Sequence, residues 1–238
     1  MKTKKYDYCI LVVAYLGVPP VADMKLKDPS LRFEATVSAL NALIESIPND
    51  ICLFICVTGS MGEFFKLKLK FASFLNVKFG YFEQNPEHIK FGTGYLECIA
   101  INNAINYWSL DSLFSTVIKI TGKYHIANIH NVIEKVDSNY NLIAWKNFFE
   151  HQVDTRVIFF NPSWFSSNMS IMNSISDTYG SWMEQVLYRY MVFNNQKIYL
   201  IDSRPIISGF SGSTAVKVEM SFFKKFVIKV FTHVRRFI

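Results

Sequence analysis

The chain has 238 residues, half of them hydrophobic and 16% aromatic, with a formal net charge of +6. That length and apolar content suit one domain of mixed architecture with an appendage, and they exclude an intrinsically disordered chain. The charge is uneven: from Lys217 to Ile238 six Lys/Arg face a single acid, Glu219, a local +5 that leaves +1 for the rest. A nucleic-acid-binding body is therefore not indicated.

Cys9–Leu16 follows Lys2, Lys4 and Lys5 and imitates a signal peptide, but Tyr6, Asp7 and Tyr8 interrupt it. Residues 8–15 read better as a buried first strand, and no run is long and apolar enough to span a bilayer. Asp28-Pro29-Ser30 opens a helix whose apolar positions, Phe33, Val37, Leu40, Ile44 and Ile47, recur at helical spacing until Pro48. Residues 51–57 form a continuous apolar strand. A helix carrying Phe64, Leu67, Phe71 and Phe74 on one face follows, then a third strand over 77–82. A helix is expected over 95–108, a strand over 116–120, short helices within 131–150, a strand over 156–160, helices over 168–176 and 181–193, and a strand over 197–201. A Pro/Gly/Ser loop from Arg204 to Thr214 precedes a last helix. Cys9, Cys52, Cys56 and Cys98 lie in apolar stretches without CxxC spacing and read as buried thiols of a reducing compartment.

Strands that alternate with helices and are apolar throughout argue for an α/β fold with a mostly parallel sheet covered on both faces. In such sheets ligands bind outside the carboxyl ends of the strands, here after residues 15, 58, 83, 120 and 160. The densest polar block at such an exit is Lys119-Ile120-Thr121-Gly122-Lys123-Tyr124-His125-Ile126-Ala127-Asn128. Its lysines are suited to neutralising a diphosphate, and Gly122 allows close approach of backbone to a ligand. The same block also reads as an ordinary strand exit with solvated lysines.

Thr116–Asn128 resembles a K-[IV]-[ST]-G-[RK]-Y-x-[IV]-x-N motif of bacterial capsule and lipopolysaccharide glycosyltransferases. In order along the chain, Arg32–Pro48 with Ile51–Val57, Lys90–Glu97, Ser181–Glu184 and Arg204–Ser213 resemble further segments of that family. The resemblance spans most of residues 8–214. It implies a single GT-A-like (Rossmann-like) domain over residues 1–215, a nucleotide-sugar donor, and a glycan or lipid-linked acceptor on the cytoplasmic face of the inner membrane. It places donor contacts at Lys90, Glu97, Lys119, Thr121, Gly122, Lys123, Tyr124, Asn128, Arg204 and Ser211.

One departure stands out. GT-A enzymes usually carry an Asp-x-Asp pair for a divalent cation, whereas the matching exit here holds Lys119 and Lys123 and no acid. Lysine is no ligand for magnesium or manganese. The expectation is a metal-independent enzyme without cofactor, in which cationic side chains stabilise the leaving diphosphate; Asp137 and Asp202 stay open as ligands. Glu184 is the candidate catalytic base for the acceptor hydroxyl, with Asp177 and Glu97 in reserve. Glu184 also reads as the N3 member of a capping box begun by Ser181. Trp182 is the candidate acceptor platform. Arg204 either closes over the diphosphate or pairs with Asp202.

Residues 216–238 form the appendage. Phe223 and Phe226 fall on one side of a helix over 221–238, and Lys224, Lys225, Lys229, Arg235 and Arg236 on the other, a basic amphipathic pattern suited to an anionic membrane surface. Docking on the chain's own core or on a second subunit is the bland alternative. For the whole chain, the alternatives to a glycosyltransferase are a non-catalytic protein that binds glycan or anionic lipid, and a nucleotidyl- or phosphotransferase using the same lysine-rich exit.

Overall fold

The structure, a computed structural model, describes residues 6–17, 27–147, 151–199, 204–210 and 217–218. Its first half repeats a strand–helix unit. β1 (Tyr6–Leu16) leads to α1 (Pro29–Ser46), β2 (Leu53–Gly59), α2 (Met61–Lys70), β3 (Val77–Tyr81), α3 (Thr93–Trp108), a one-turn α4 (Leu110–Leu113) and β4 (Phe114–Thr121). Local chemistry sets the helix starts. Asp28 caps α1 by accepting from the Ser30 amide at 2.8 Å, with Pro29 in the first turn, and the Ser60 hydroxyl caps α2 by accepting from the Glu63 amide.

The second half departs from that pattern. It comprises β5 (Tyr124–Ile126), α5 (Ile129–Ile133), β6 (Leu142–Lys146), β7 (Val153–Phe160), α6 (Pro162–Ser167), α7 (Met169–Met172), α8 (Met183–Phe193), β8 (Lys197–Tyr199), β9 (Ile207–Phe210) and β10 (Lys217–Val218). The central sheet has the order β3-β2-β1-β4-β7-β6-β8. β1, β2, β3 and β4 pair in parallel, and β7 runs antiparallel between β4 and β6. A small antiparallel sheet, β10-β9-β5, stands apart from it.

Both faces of the central sheet are covered. Ile10, Val12, Ile55 and Val57 pack under α1 and α2, and Cys9, Leu11, Val13 and Cys56 pack under α3 and α8. This is the period-two alternation of strands buried on both sides. Each fully buried Leu or Ile in these layers contributes roughly 1.5–3 kcal/mol relative to exposure.

Several expectations are corrected. Residues 131–150 do not form only short helices: Leu142–Lys146 is a strand held between β7 and β8. Tyr124–Ile126 and Ile207–Phe210, read as turn and loop, pair with each other. α6 occupies residues read as a loop, with Asn161 as its cap. The helix read over 168–176 is reduced to the single turn of α7. Cys52 is only partly buried, while Cys9, Cys56 and Cys98 are buried, and all four are free thiols. Lys217–Val218 pair as β10 with β9. Ser211, Asp202 and residues 219–238, including Phe223, Lys224, Lys225, Phe226, Lys229, Arg235 and Arg236, lie outside the described residues. Among the described residues no helix is long and apolar enough to cross a membrane.

Candidate active site

In the strand order, β1 connects outward to β2 on one side while β4 leads on to the antiparallel half on the other. The carboxyl ends of β1 and β4 thus form the topological switch point where a crevice opens in α/β sheets. A cavity of ≈ 190 Å³ lies there. Its walls include Val13–Tyr15 of β1, Thr58 near the end of β2, Thr121 at the end of β4 with Gly122 and Lys123 beyond it, Arg32 and Thr36 of α1, Thr93, Gly94, Leu96 and Glu97 of α3, Thr155 of β7, Asp177, and Met183 with Glu184 of α8.

Gly122 fixes the floor. Its amide donates to the Val13 carbonyl at 2.8 Å, and a Cβ there would sit 2.7 Å from the Ala14 Cβ. Only glycine lets the β4 exit close against β1 in this way.

Lys119 lies beneath that floor and does not line the cavity. It is fully buried. Its ammonium is 2.7 Å from Glu97 Oε1, and it donates to Thr121 Oγ1 at 2.9 Å and to the Thr155 carbonyl at 2.7 Å. Three donors meet three acceptors, so this lysine organises the site without facing it. Thr121 in turn donates to Glu97 Oε1 at 3.2 Å. Glu97, expected at the donor, faces the cavity with its carboxylate already held by Lys119.

Lys123 does line the cavity. Burial, together with the nearby Arg32 guanidinium, pushes its ammonium down to about 8. Its Nζ lies 5.4 Å from the centre of the Tyr124 ring, and among the described residues it makes no ion pair. Arg32 is buried on the same wall, its guanidinium 5.6 Å from the centre of the Tyr15 ring, and burial lowers its pKa. Two cations that repel each other across a water-poor wall are the electrostatic complement of a polyanion.

Glu184 faces them from the other side. Its Oε1 accepts from the Thr155 hydroxyl at 2.8 Å. Burial, with a smaller contribution from Glu97, lifts its carboxyl above the ordinary range, although its own amide, Thr155 and Lys119 pull the other way. The capping-box alternative fails. Trp182 holds the N-cap position of α8 and no side chain caps the helix, while Ser181 exchanges main-chain hydrogen bonds with Ser176.

Asp177 has a structural attachment. Its Oδ2 accepts from the Thr93 amide at 2.7 Å and from the Thr93 hydroxyl at 3.0 Å, capping α3 from a distance. Gly92, at φ 93°, makes room for it, because a Cβ there would fall 2.3 Å from Asp177 Oδ2. Asp177→Ala is expected to destabilise the fold by about 1 kcal/mol, the usual effect of losing a cap. Urea denaturation measures it, and an unchanged midpoint would remove the capping assignment.

The remaining expected residues lie away from the cavity. Asn128 clamps main chain, donating to the Arg204 carbonyl at 2.9 Å and accepting from the Ile206 amide at 2.7 Å. Arg204 bonds to the Lys146 carbonyl and to Asn147 Oδ1, and it lies 3.5 Å from the buried Asp154 carboxylate. Burial works to raise Asp154, but the fork of Arg156 and the charge of Arg204 outweigh it and hold the carboxyl low. Lys90 rests 5.1 Å from the centre of the Phe91 ring. Tyr124 is buried, which pushes its phenol up to about 12, and Trp182 is half exposed outside the cavity. No group of three or more His, Cys, Asp or Glu among the described residues is arranged to hold a metal.

Sequence reading missed Arg32, Tyr15, Thr58, Gln84 and Thr155. Arg32 and Thr36 had a signal: four residues apart, they share the helical face that buries Leu40 and Leu43 further on.

No protein-family model and no curated protein matches the sequence. Solved structures do match. TarS residues 1–349 from S. aureus, in complex with UDP-GlcNAc, superposes with a TM-score of 0.51 at 11% identity, over 90% of this chain and 62% of that one. The same TarS fragment without that ligand gives 0.50 at 12% identity, over 96% of this chain. The inositol-1-phosphate CTP transferase from T. maritima gives 0.54 at 10% identity, over 95% of this chain and 97% of that one. The chain spans under two thirds of the TarS fragment's length. At these identities the likeness is one of fold: the chain has a GT-A-like α/β architecture with a seven-stranded, mostly parallel central sheet.

Proposed function

We propose that this chain is a bacterial glycosyltransferase that moves a sugar from a nucleotide-sugar donor to a glycan acceptor, one that is lipid-linked and belongs to capsule or lipopolysaccharide assembly at the inner face of the inner membrane. One observation carries the reading: Lys123 and Arg32 stand on one wall of the switch-point cavity and Glu184, a carboxyl made more basic by burial, on the other. The donor diphosphate binds against the two cations. As the bond from the anomeric carbon to the diphosphate breaks, negative charge grows on the leaving oxygen, and the preorganised cations stabilise it. Glu184 takes the proton of the acceptor hydroxyl as that oxygen attacks. Lys123 at the β4 exit and Arg32 of α1 do the work of a divalent ion, so transfer proceeds without a metal. The fold of the TarS complex with UDP-GlcNAc supports the donor class.

Thermal unfolding with UDP-, GDP- and CMP-linked sugars, with and without EDTA, tests this. One donor at about 100 times its Kd is expected to add roughly 2.7 kcal/mol, or about 5–10 °C in Tm. The shift persists in EDTA. It shrinks as pH rises through about 8, because Lys123 then loses its proton and the diphosphate loses a cation. In the ligand-free protein the sign is opposite. Between about 8 and the ordinary lysine value the unfolded chain holds the proton and the folded one does not, so this group adds stability as pH rises. Absence of a shift with every sugar nucleotide overturns the proposal, and a shift abolished by EDTA and restored by manganese overturns its metal-free form.

A second reading, a nucleotidyltransferase, is favoured by the near-complete overlap with the T. maritima CTP transferase. It predicts stabilisation by nucleoside triphosphates and none by sugar diphosphates.

A further inference from the structure

The outer face of α2 is unlike an ordinary solvated helix. Phe64 and Leu67 are buried beneath it, as an amphipathic helix requires, yet Met61, Phe65 and Leu69, on the face that runs from beside Phe64 outward, are exposed. Spaced four apart, these three form one continuous apolar stripe along the helix. Phe65 is 53% and Leu69 76% exposed, and the turn that follows presents Leu75 at 98%. At 100° per residue, Lys68 flanks the stripe on one side and Lys66 and Lys70 on the other. Glu63 is the one acid on the helix, and it pairs with Lys66 at 2.8 Å. A stripe of large apolar side chains edged by lysines matches an interface in which apolar groups enter the acyl boundary while ammonium groups reach phosphates.

We infer that α2 and the turn after it form a docking face for an anionic lipid surface. The occupant is fixed by charge: the edge of the stripe is basic on both sides, which complements acidic headgroups and gives no counterpart to a second copy of the same basic face. α2 also begins at the site. Ser60, its cap, follows Thr58 of the cavity wall, and the Ser60 amide donates to the Leu16 carbonyl at 2.8 Å. The stripe therefore starts at Met61, three residues after Thr58 of the cavity wall. This rests on the glycosyltransferase reading only in giving a purpose to the placement, namely delivery of a membrane-held acceptor to the crevice.

Co-sedimentation of the full chain with vesicles tests the inference, using phosphatidylcholine alone and phosphatidylcholine with 30% phosphatidylglycerol. The wild type is expected to partition onto the anionic vesicles. Phe65→Glu/Leu69→Glu, both at exposed positions, is expected to lower that partitioning at least tenfold, and Lys66→Glu/Lys68→Glu/Lys70→Glu to lower it at least as far. Both variants keep the wild-type melting temperature and any nucleotide-induced shift, which separates loss of docking from loss of fold. Wild-type partitioning by the Phe65/Leu69 variant overturns the inference. So does a change from dimer to monomer in light scattering with vesicle binding intact, which would make the face a self-interface. Failure of every nucleotide to stabilise the wild type, with vesicle binding and its loss as expected, removes the enzyme reading and leaves the lipid face standing.

Discussion

Glu184→Gln is expected to lower kcat roughly 10²- to 10⁴-fold, the range for removing a positioned general base. The substitution keeps size and keeps an oxygen for the Thr155 hydroxyl, which now bonds to Glu184 Oε1 at 2.8 Å. It removes only the capacity to accept a proton. Stability is not expected to fall. The side chain caps no helix, and its folded carboxyl is raised by burial, so the ionised group weighs against the folded state at neutral pH. The pH dependence of kcat/KM gives the sharper test. The wild-type acid limb should lie above the ordinary carboxylate value, where Glu184 must lose its proton. The alkaline limb should lie near 8, where Lys123 loses its charge. In the Gln variant the residual rate should lack the acid limb and keep the alkaline one. Turnover within about threefold of wild type would remove Glu184 from the chemistry.

Lys119→Met is expected to be the most destabilising change at the site. The ammonium satisfies Glu97, Thr121 and the Thr155 carbonyl from a position with no access to water. Breaking a buried pair from one side costs about 3–5 kcal/mol. Glu97 retains some solvent contact, so the lower end, about 3 kcal/mol, applies, or roughly 6–12 °C in Tm for a chain of this size. Adding Glu97→Gln removes the stranded carboxylate and should recover at least half of the loss in a urea-denaturation cycle. If Lys119 instead bound donor directly, the single variant would melt like wild type and lose only the nucleotide-induced shift.

The difference between Lys119 and Lys123 shows where sequence reading reached and where it stopped. Both lysines belong to one strand exit, and alternation placed them near the crevice. Whether each faced ligand or protein depended on partners far along the chain: Glu97 on α3 and Thr155 on β7 for Lys119, and Arg32 on α1 for Lys123. The parallel half was legible because its signals are local. Apolar strands, the Asp28 and Ser60 caps and helical spacing each act within a few residues. β6 was misread because Leu142–Lys146 has no alternation, being buried on both faces, and it becomes a strand only through pairing with β7 and β8. β9 was misread because Gly209 and its polar neighbours look like a loop. At φ 140° Gly209 passes so close to the Lys123 carbonyl that a Cβ would be 2.4 Å away, a contact invisible to spacing. Arg32 gains its role only in the folded chain, where α1 brings it beside Lys123 and Tyr15.

The pairing of Tyr124–Ile126 with Ile207–Phe210 bears on how the molecule is made. Lys123 directly precedes a strand whose ladder partner among the described residues emerges from the ribosome some eighty residues later. β1, β2 and β3 each meet their neighbour after one intervening helix, and β4 then closes on β1, so the four parallel strands are all synthesised before β5. The cationic wall cannot be finished until that late partner arrives. A nascent chain thus acquires its scaffold early and completes the wall that holds Lys123 and Arg32 last.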